Sequence, residues 1–195
     1  MARRLADAWL AGAPWLFVRE MWNRPASVGA ICPSSRWLAD RVASRVPLDG
    51  DGLVLELGAG TGAMTHALLR RGIPATRLVV IERSALFVRH LRARFPAVAV
   101  VEGDAGELAA LVPRGARVDA TVSSLPLRSL DEQDSAAIVA EWRGLMEGGG
   151  VVVQFTYDLL GRERTAVRGF RQRTSDIVWI NLPPARVLAM ERGGD

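Results

Sequence analysis

Glycines stand at 58, 60 and 62, directly after the apolar run Leu53 to Leu57, which carries one acid, Glu56. Such a run is long enough for one buried parallel strand. The periodic segment that follows, with Met64, Ala67, Leu68 and Leu69, reads as a helix. Strand, tight glycine turn and helix start together form a place where a ligand can approach the backbone. Glycine takes φ > 0 and has no Cβ to collide with the ligand, and the amides of the helix start point at it. A dinucleotide fingerprint is spaced G-x-G-x-x-G, whereas Gly58-Ala59-Gly60-Thr61-Gly62 is G-x-G-x-G. A second acid, Glu82, ends the apolar run Leu78 to Ile81, with Arg83 after it. A third site follows Val98 to Val101 as Glu102-Gly103-Asp104-Ala105. In a doubly wound sheet, an acid at the tip of the second strand accepts hydrogen bonds from both ribose hydroxyls of an adenosine. Carboxylates at three successive strand ends therefore describe a nucleoside site.

A second chemical stretch is Ser123-Ser124-Leu125-Pro126-Leu127, at the end of a fourth predicted strand. Tyr157, the single Tyr of the chain, stands just past a fifth. A main-chain carbonyl at Leu125 and the Ser124 hydroxyl are hydrogen-bond acceptors that can align a nitrogen nucleophile, and alignment is a large part of catalysing a transfer. The Tyr157 phenol can orient an amine, and its ring can face a cation. A packed strand-end Tyr is the alternative. No Cys/His cluster has metal-ligand spacing, His66 and His90 fall on predicted helices, and no metal is expected.

The elements that position these residues alternate. Predicted segments are helix 63–71, strand 77–82, helix 84–94, strand 98–102, a short helix near 104–112, strand 117–123, helix 131–146 and strand 150–156. This alternation implies a parallel sheet with right-handed crossovers. Arg168 to Leu182 and Arg186 to Glu191 read as two closing strands joined at Pro183-Pro184. Upstream, a helical pattern runs through Trp37, Leu38, Arg41, Val42 and Val46, and Ser34 or Ser35 is a suitable N-cap. A helix start also suits a ligand carboxylate; a plain cap is the alternative.

The chain has 195 residues, of which 49% are hydrophobic and 24% charged, enough for one folded domain with a substantial core. The single Cys, Cys32, excludes an intramolecular disulfide and fits a reducing compartment. All 25 basic residues are Arg, whose planar fork matches phosphate oxygens bidentately. Residues 1–50 carry 7 Arg against 4 acids, residues 51–150 carry 11 against 12, and residues 151–195 carry 7 against 5. The positive excess thus lies outside the nucleoside-binding middle, where nucleic acid, an anionic membrane or a phosphorylated substrate would suit it.

Trp9, Trp15 and Trp22 frame an eleven-residue apolar run, Ala8 to Val18, interrupted by Gly12 and Pro14. A spanning helix needs roughly 17–25 apolar residues, so this run does not cross a bilayer but suits the headgroup layer. A secretory leader is a rival, poorly matched by three Trp, Pro14 and Arg19-Glu20; a helix docked on its own domain is another. Arg162, Arg164, Arg168, Arg171 and Arg173 crowd a segment that could grip a lipid phosphate or an anionic surface, or simply be solvated.

Glu56-Leu57-Gly58-Ala59-Gly60-Thr61-Gly62 resembles motif I of class I S-adenosylmethionine (SAM) methyltransferases. In that pattern the Asp after strand three, here Asp104, bonds the adenine amino group. Amino-directed members carry Asn-Pro-Pro-Tyr or Asn-Leu-Pro-Tyr after strand four. Ser124 and Leu127 replace the Asn and the aromatic, so a planar nucleobase loses its handles and a small aliphatic amine does not. In order, Asn23-Arg24-Pro25 with Val28-Gly29-Ala30-Ile31, Pro33-Ser34-Ser35, the glycine turn, Ile81-Glu82, Gly103-Asp104-Ala105, Ser124-Leu125-Pro126-Leu127, Gln154-Phe155-Thr156-Tyr157 and Asn181-Leu182-Pro183-Pro184-Ala185 occur across residues 20–190. This series resembles the bacterial PmtA-type phospholipid N-methyltransferases.

The resemblance implies an α/β, Rossmann-like fold, mostly parallel with an antiparallel last strand. It divides the chain into N-terminal membrane-interface and lid helices over residues 1–47 and a SAM-binding domain over residues 48–195. SAM is the implied donor and S-adenosyl-L-homocysteine the product. Cofactor contacts are expected from Ser34, Ser35, Glu56, Gly58, Ala59, Gly60, Thr61, Gly62, Glu82, Arg83, Asp104, Ala105 and Ser123, and acceptor contacts from Ser124, Leu125 and Tyr157. The implied acceptor is phosphatidylethanolamine, methylated in up to three steps towards phosphatidylcholine. The implied place is the inner face of the cytoplasmic membrane, an anionic surface held through Trp9, Trp15, Trp22, Arg162, Arg164 and Arg168. No nucleic-acid partner is expected. The rivals are an rRNA adenine dimethyltransferase, which would want the missing Asn and aromatic, and a non-catalytic peripheral protein that keeps the fold.

Overall fold

The structure is a computed structural model and describes residues 34–127, 130–159, 167 and 169–193. Trp9, Trp15, Trp22, Arg162, Arg164 and Arg168 lie outside the described residues.

Apolar runs become strands and the periodic segments between them become helices. The order is α1 (Arg36–Ala43), β1 (Leu53–Leu57), α2 (Ala63–Arg71), β2 (Leu78–Glu82), α3 (Ala85–Arg94), β3 (Ala99–Glu102), a 3₁₀ turn (Ala105–Glu107), α4 (Leu108–Leu111), β4 (Val118–Ser123), α5 (Glu132–Leu145), β5 (Val151–Thr156), β6 (Phe170–Val178) and β7 (Ala185–Arg192). The seven strands form one sheet in the order β3-β2-β1-β4-β5-β7-β6. The first five pair in parallel, and β7 enters antiparallel between β5 and β6. This is the Rossmann-like, mostly parallel sheet that the resemblance implies, with β7 as the reversed strand.

Successive strand residues face opposite sides, so the sheet has two cores. Val54, Val80, Val122 and Val153 pack with Leu38 and Val42 of α1, with Leu68 of α2 and with Leu91 of α3. Leu55, Leu57, Ile81 and Val152 pack with Leu108, Ile138 and Trp142 on the other side. Each fully buried Leu or Val stabilises by about 1.5–3 kcal/mol relative to exposure. Leu38 and Val42 thereby tie α1 to the same core as the strands.

Two boundaries differ from the sequence reading. β6 ends at Val178, and 179–184 form the turn into β7. Pro183 and Pro184 have no N–H to give a ladder. The segment near 104–112 divides into the 3₁₀ turn and α4, because the Asp104 side chain accepts from Gly106 N at 2.8 Å and caps the turn tightly. No helix of the described residues is long and apolar enough to cross a membrane.

The chain leaves β1 towards β2 on one side and returns to β4 on the other. A crevice therefore opens beyond the carboxyl ends of β1 and β4, where ligands bind in such sheets.

Candidate active site

The turn after β1 lies at this crevice. Gly58, Gly60 and Gly62 have φ of 71°, 53° and 82°, but they serve different purposes. A Cβ on Gly58 would come 2.9 Å from Leu125 Cδ2, and one on Gly62 would come 2.5 Å from the Phe95 ring. These two glycines admit neighbouring protein side chains. A Cβ on Gly60 would meet nothing within 4 Å, so Gly60 alone presents open backbone to a ligand. Below the turn, Arg94 Nη1 donates to Thr61 O at 2.6 Å, and Ala59 O accepts from Gly62 N at 2.9 Å.

Glu82 ends β2 beside the turn and is buried. Its Oε2 accepts from Gly60 N at 3.0 Å and its Oε1 from Ser84 N at 2.9 Å. Two amides thus fix the carboxylate at the strand tip, and a carboxylate offers about four lone-pair sites. At the tip of β3, Asp104 is half-exposed, as is Ala105, the first residue of the 3₁₀ turn. Its Oδ2 lies 3.5 Å from Nη1 of Arg83, whose side chain is mostly exposed. Open backbone at Gly60, a buried acid at β2 and a half-exposed acid at β3 form a row that fits the sugar and base of a nucleoside.

Glu56 is not on that surface. It is fully buried beneath α2, and its Oε1 accepts from Thr65 N at 3.1 Å. Burial pushes its pKa up to about 7, against the lowering effect of the Thr65 hydrogen bonds; the Glu82 charge adds slightly. It braces the first turn of α2 from below. Ser35 is the N-cap of α1, its Oγ accepting from Leu38 N at 3.2 Å, and its own N donates to Asn181 Oδ1 at 3.3 Å. Ser34 is half-buried just ahead of it.

The loop after β4 is stitched to β1 and β5. Ser124 N donates to Leu57 O at 3.0 Å. Ser123 is fully buried, and its Oγ accepts from Leu125 N at 3.3 Å. The Leu125 carbonyl, expected to align a substrate nitrogen, accepts from Gln154 Nε2 at 2.8 Å and from Leu127 N at 2.9 Å. A carbonyl has two lone pairs, so both acceptor positions are taken up inside the protein. That expectation is corrected: Leu125 shapes the loop, and the half-buried Ser124 remains as its polar residue on the acceptor side. Gln154 stands in the motif series, but sequence reasoning gave it no role. Its signal was a single amide inside the apolar run Val151-Val152-Val153-Gln154-Phe155. Tyr157 follows β5 at the same edge, its ring edge-on to Phe155 at 5.8 Å.

Arg171 and Arg173 both pair with Glu191. Phe170 is level with Arg192, and Met190 is level with Val152 near the start of β5. These two Arg therefore stand at the opposite edge of the sheet from the crevice. His66 is exposed on α2 and His90 is half-buried on α3. Among the described residues no group of three His, Cys, Asp or Glu side chains could hold a metal ion.

Comparison with known proteins gives four findings. A family described as "Methyltransferase domain" matches residues 54–150. An ornithine lipid N-methyltransferase of Singulisphaera acidiphila is 32% identical over 176 residues, covering 88% of this chain and 92% of that protein. A probable ribosomal RNA small subunit methyltransferase A of Halobacterium salinarum is 44% identical over 69 residues, but these are only 33% of this chain and 23% of that protein. Among solved structures, the N-methyltransferase NodS of Bradyrhizobium japonicum, in complex with S-adenosyl-L-homocysteine, superposes with a TM-score of 0.63. Its identity is 14%, with 80% of this chain and 86% of that one covered.

Proposed function

The chain belongs to the SAM-dependent methyltransferases, and on that premise we propose that it methylates the primary amine of a membrane lipid headgroup. The observation that carries the reading is the length of the two matches. Similarity to the lipid N-methyltransferase runs across 92% of that protein, whereas similarity to the rRNA enzyme stops at 23%. The short match is what a shared nucleoside site alone produces. Two acceptors fit: ornithine lipid, favoured by the full-length relative, and phosphatidylethanolamine, favoured by the motif series and methylated stepwise towards phosphatidylcholine. Both present a primary alkylamine on a flexible arm. We put the reaction at the inner face of the cytoplasmic membrane.

When bound, SAM supplies a methyl group on a sulfonium, an electrophile whose leaving group is a neutral thioether. The chain's own task is to hold the donor, align the amine and exclude water. Gly60, Glu82 and Asp104 hold the nucleoside. The Ser124 hydroxyl and the Tyr157 phenol orient the amine across the ends of β4 and β5. Gln154 acts through the Leu125 carbonyl, fixing the loop on which Ser124 sits. A lipid amine is an ammonium ion at neutral pH and loses its proton before its lone pair can attack. We give that proton to water, either directly or through the Tyr157 phenol, which passes its own proton to water as it takes one from the ammonium.

The test is incubation with methyl-labelled SAM and three separate acceptors: ornithine lipid vesicles, phosphatidylethanolamine vesicles and rRNA. Label is expected in lipid, and the vesicle type that takes it identifies the acceptor. Label in rRNA with both lipids unmodified overturns the reading. Tyr157→Phe is expected to lower turnover roughly 3- to 10-fold, the contribution of one hydrogen bond, with SAM affinity unchanged by calorimetry. Full turnover in that variant removes the hydroxyl from the acceptor side.

A further inference from the structure

Five large apolar side chains are exposed among the described residues: Trp37 at 56%, Leu48 at 45%, Trp179 at 69%, Ile180 at 64% and Leu182 at 85%. Leu48 is in the loop before β1, at the amino edge of the parallel strands. The other four belong to two neighbouring segments. Ser35 N donates to Asn181 Oδ1, which joins the start of α1, and Trp37 with it, to the β6–β7 turn. Thr156, the last residue of β5, pairs with Arg186, the second residue of β7, and Val178 pairs with Ala185. The 179–184 turn therefore stands just beyond the carboxyl edge of the sheet, on the same rim as Tyr157 and the loop after β4.

The chemistry of this tip is unusual for a water-facing turn. Trp179-Ile180-Asn181-Leu182-Pro183-Pro184 carries no charge. Its one polar side chain, Asn181, is buried and satisfied on both sides, accepting from Ser35 N and donating to Pro183 O at 2.6 Å. Asn181 N donates to Val178 O at 3.3 Å, and the two Pro have no N–H. The turn thus has no charged group to remove from water, and its buried polar side chain is already paired. What faces outward is two Trp with an Ile and a Leu. Trp has an apolar body and an N–H, and it concentrates at the membrane interface. Arg36, beside Trp37, has a mostly exposed side chain and adds a cation suited to an anionic headgroup layer.

We propose that the β6–β7 tip, with Trp37, dips into the interfacial layer of the bilayer that holds the acceptor, and so presents the methyl-transfer crevice to lipid headgroups. The inference rests on the lipid-amine reading above and assigns it a docking surface within the catalytic fold, separate from the Trp-rich residues 1–22. A lipid keeps its acyl chains in the bilayer while its amine reaches the ends of β4 and β5. The rim beside those ends is consequently the part of the fold that must meet the membrane.

The test uses the full chain and a Trp179→Gln/Ile180→Gln/Leu182→Gln variant, whose exposed substitutions leave the core and Asn181 intact. Both are floated with vesicles of phosphatidylethanolamine and phosphatidylglycerol, and both are assayed on those vesicles and on a short-chain, water-soluble phosphatidylethanolamine. Expected are a vesicle affinity on the order of tenfold lower, a matching loss of turnover on vesicles, and unchanged SAM affinity and turnover on the soluble lipid. Equal flotation of the two proteins overturns the proposal. So does loss of a dimer in the variant by analytical ultracentrifugation, which would make a second copy the occupant. If neither protein methylates phosphatidylethanolamine, or ornithine lipid added to the same vesicles, yet only the parent floats, the docking surface stands and the acceptor reading falls.

Discussion

Glu56→Gln is expected to stabilise the protein at pH 8 by about 3 kcal/mol and to leave it unchanged near pH 4. Glu56 is fully buried, and its pKa rises from 4.5 to about 7 on folding, chiefly because burial penalises the charge. The folded state thus binds this proton more tightly than the unfolded chain. The neutral carboxyl contributes fully below pH 4.5, and the contribution fades as pH climbs through about 7. At about 1.4 kcal/mol per pKa unit, the loss is on the order of 3 kcal/mol. Gln keeps an oxygen to accept from Thr65 N and cannot ionise, so the variant should lack this component. Denaturant unfolding of both proteins from pH 4 to 8 reads the difference directly. If the two stability curves run parallel, Glu56 is not the group that titrates in this window. At a site that braces the nucleoside-binding turn, a carboxylate where an amide would be more stable is a cost borne for something other than stability.

The second large effect concerns the donor. Glu82→Ala is expected to weaken SAM binding by roughly 1–3 kcal/mol, about 5- to 150-fold, because a buried charged acceptor for ribose hydroxyls is lost. Two consequences coincide in this residue. The carboxylate faces the nucleoside row, and it also clamps Gly60 N and Ser84 N. Removing it loosens the one glycine that presents open backbone to the ligand. Glu82→Gln should be milder, since its carbonyl can still take one of the two amides. Calorimetric titration of SAM into the three proteins ranks them. Unchanged affinity in Glu82→Ala removes this residue from the cofactor site.

Much of this protein follows from local sequence, because strands, turns and helices of a doubly wound sheet are set by period and by glycine. The run Leu53 to Leu57 before Gly58, Gly60 and Gly62, and the acids at the tips of β2 and β3, needed only alternation and spacing to be recognised. A reversed last strand was also expected, because the motif series resembles a family whose sheet closes with an antiparallel strand. Contacts between segments distant in sequence were not legible. Nothing local says that β7 enters between β5 and β6, and it is this insertion that carries the apolar turn at 179–184 to the rim of the crevice. The same register sends Arg171 and Arg173 to the far edge, on Glu191. Spacing could not reveal that Gly58 and Gly62 yield to Leu125 and Phe95 rather than to a ligand. Nor could it show that the Leu125 carbonyl is already taken by Gln154 and Leu127. Periodicity decides which face of an element is buried. Which lone pairs and which Cβ positions remain open is decided only when strands 30 and 60 residues apart are brought side by side, because hydrogen bonds and van der Waals contact act over a few ångströms of space and not along the chain.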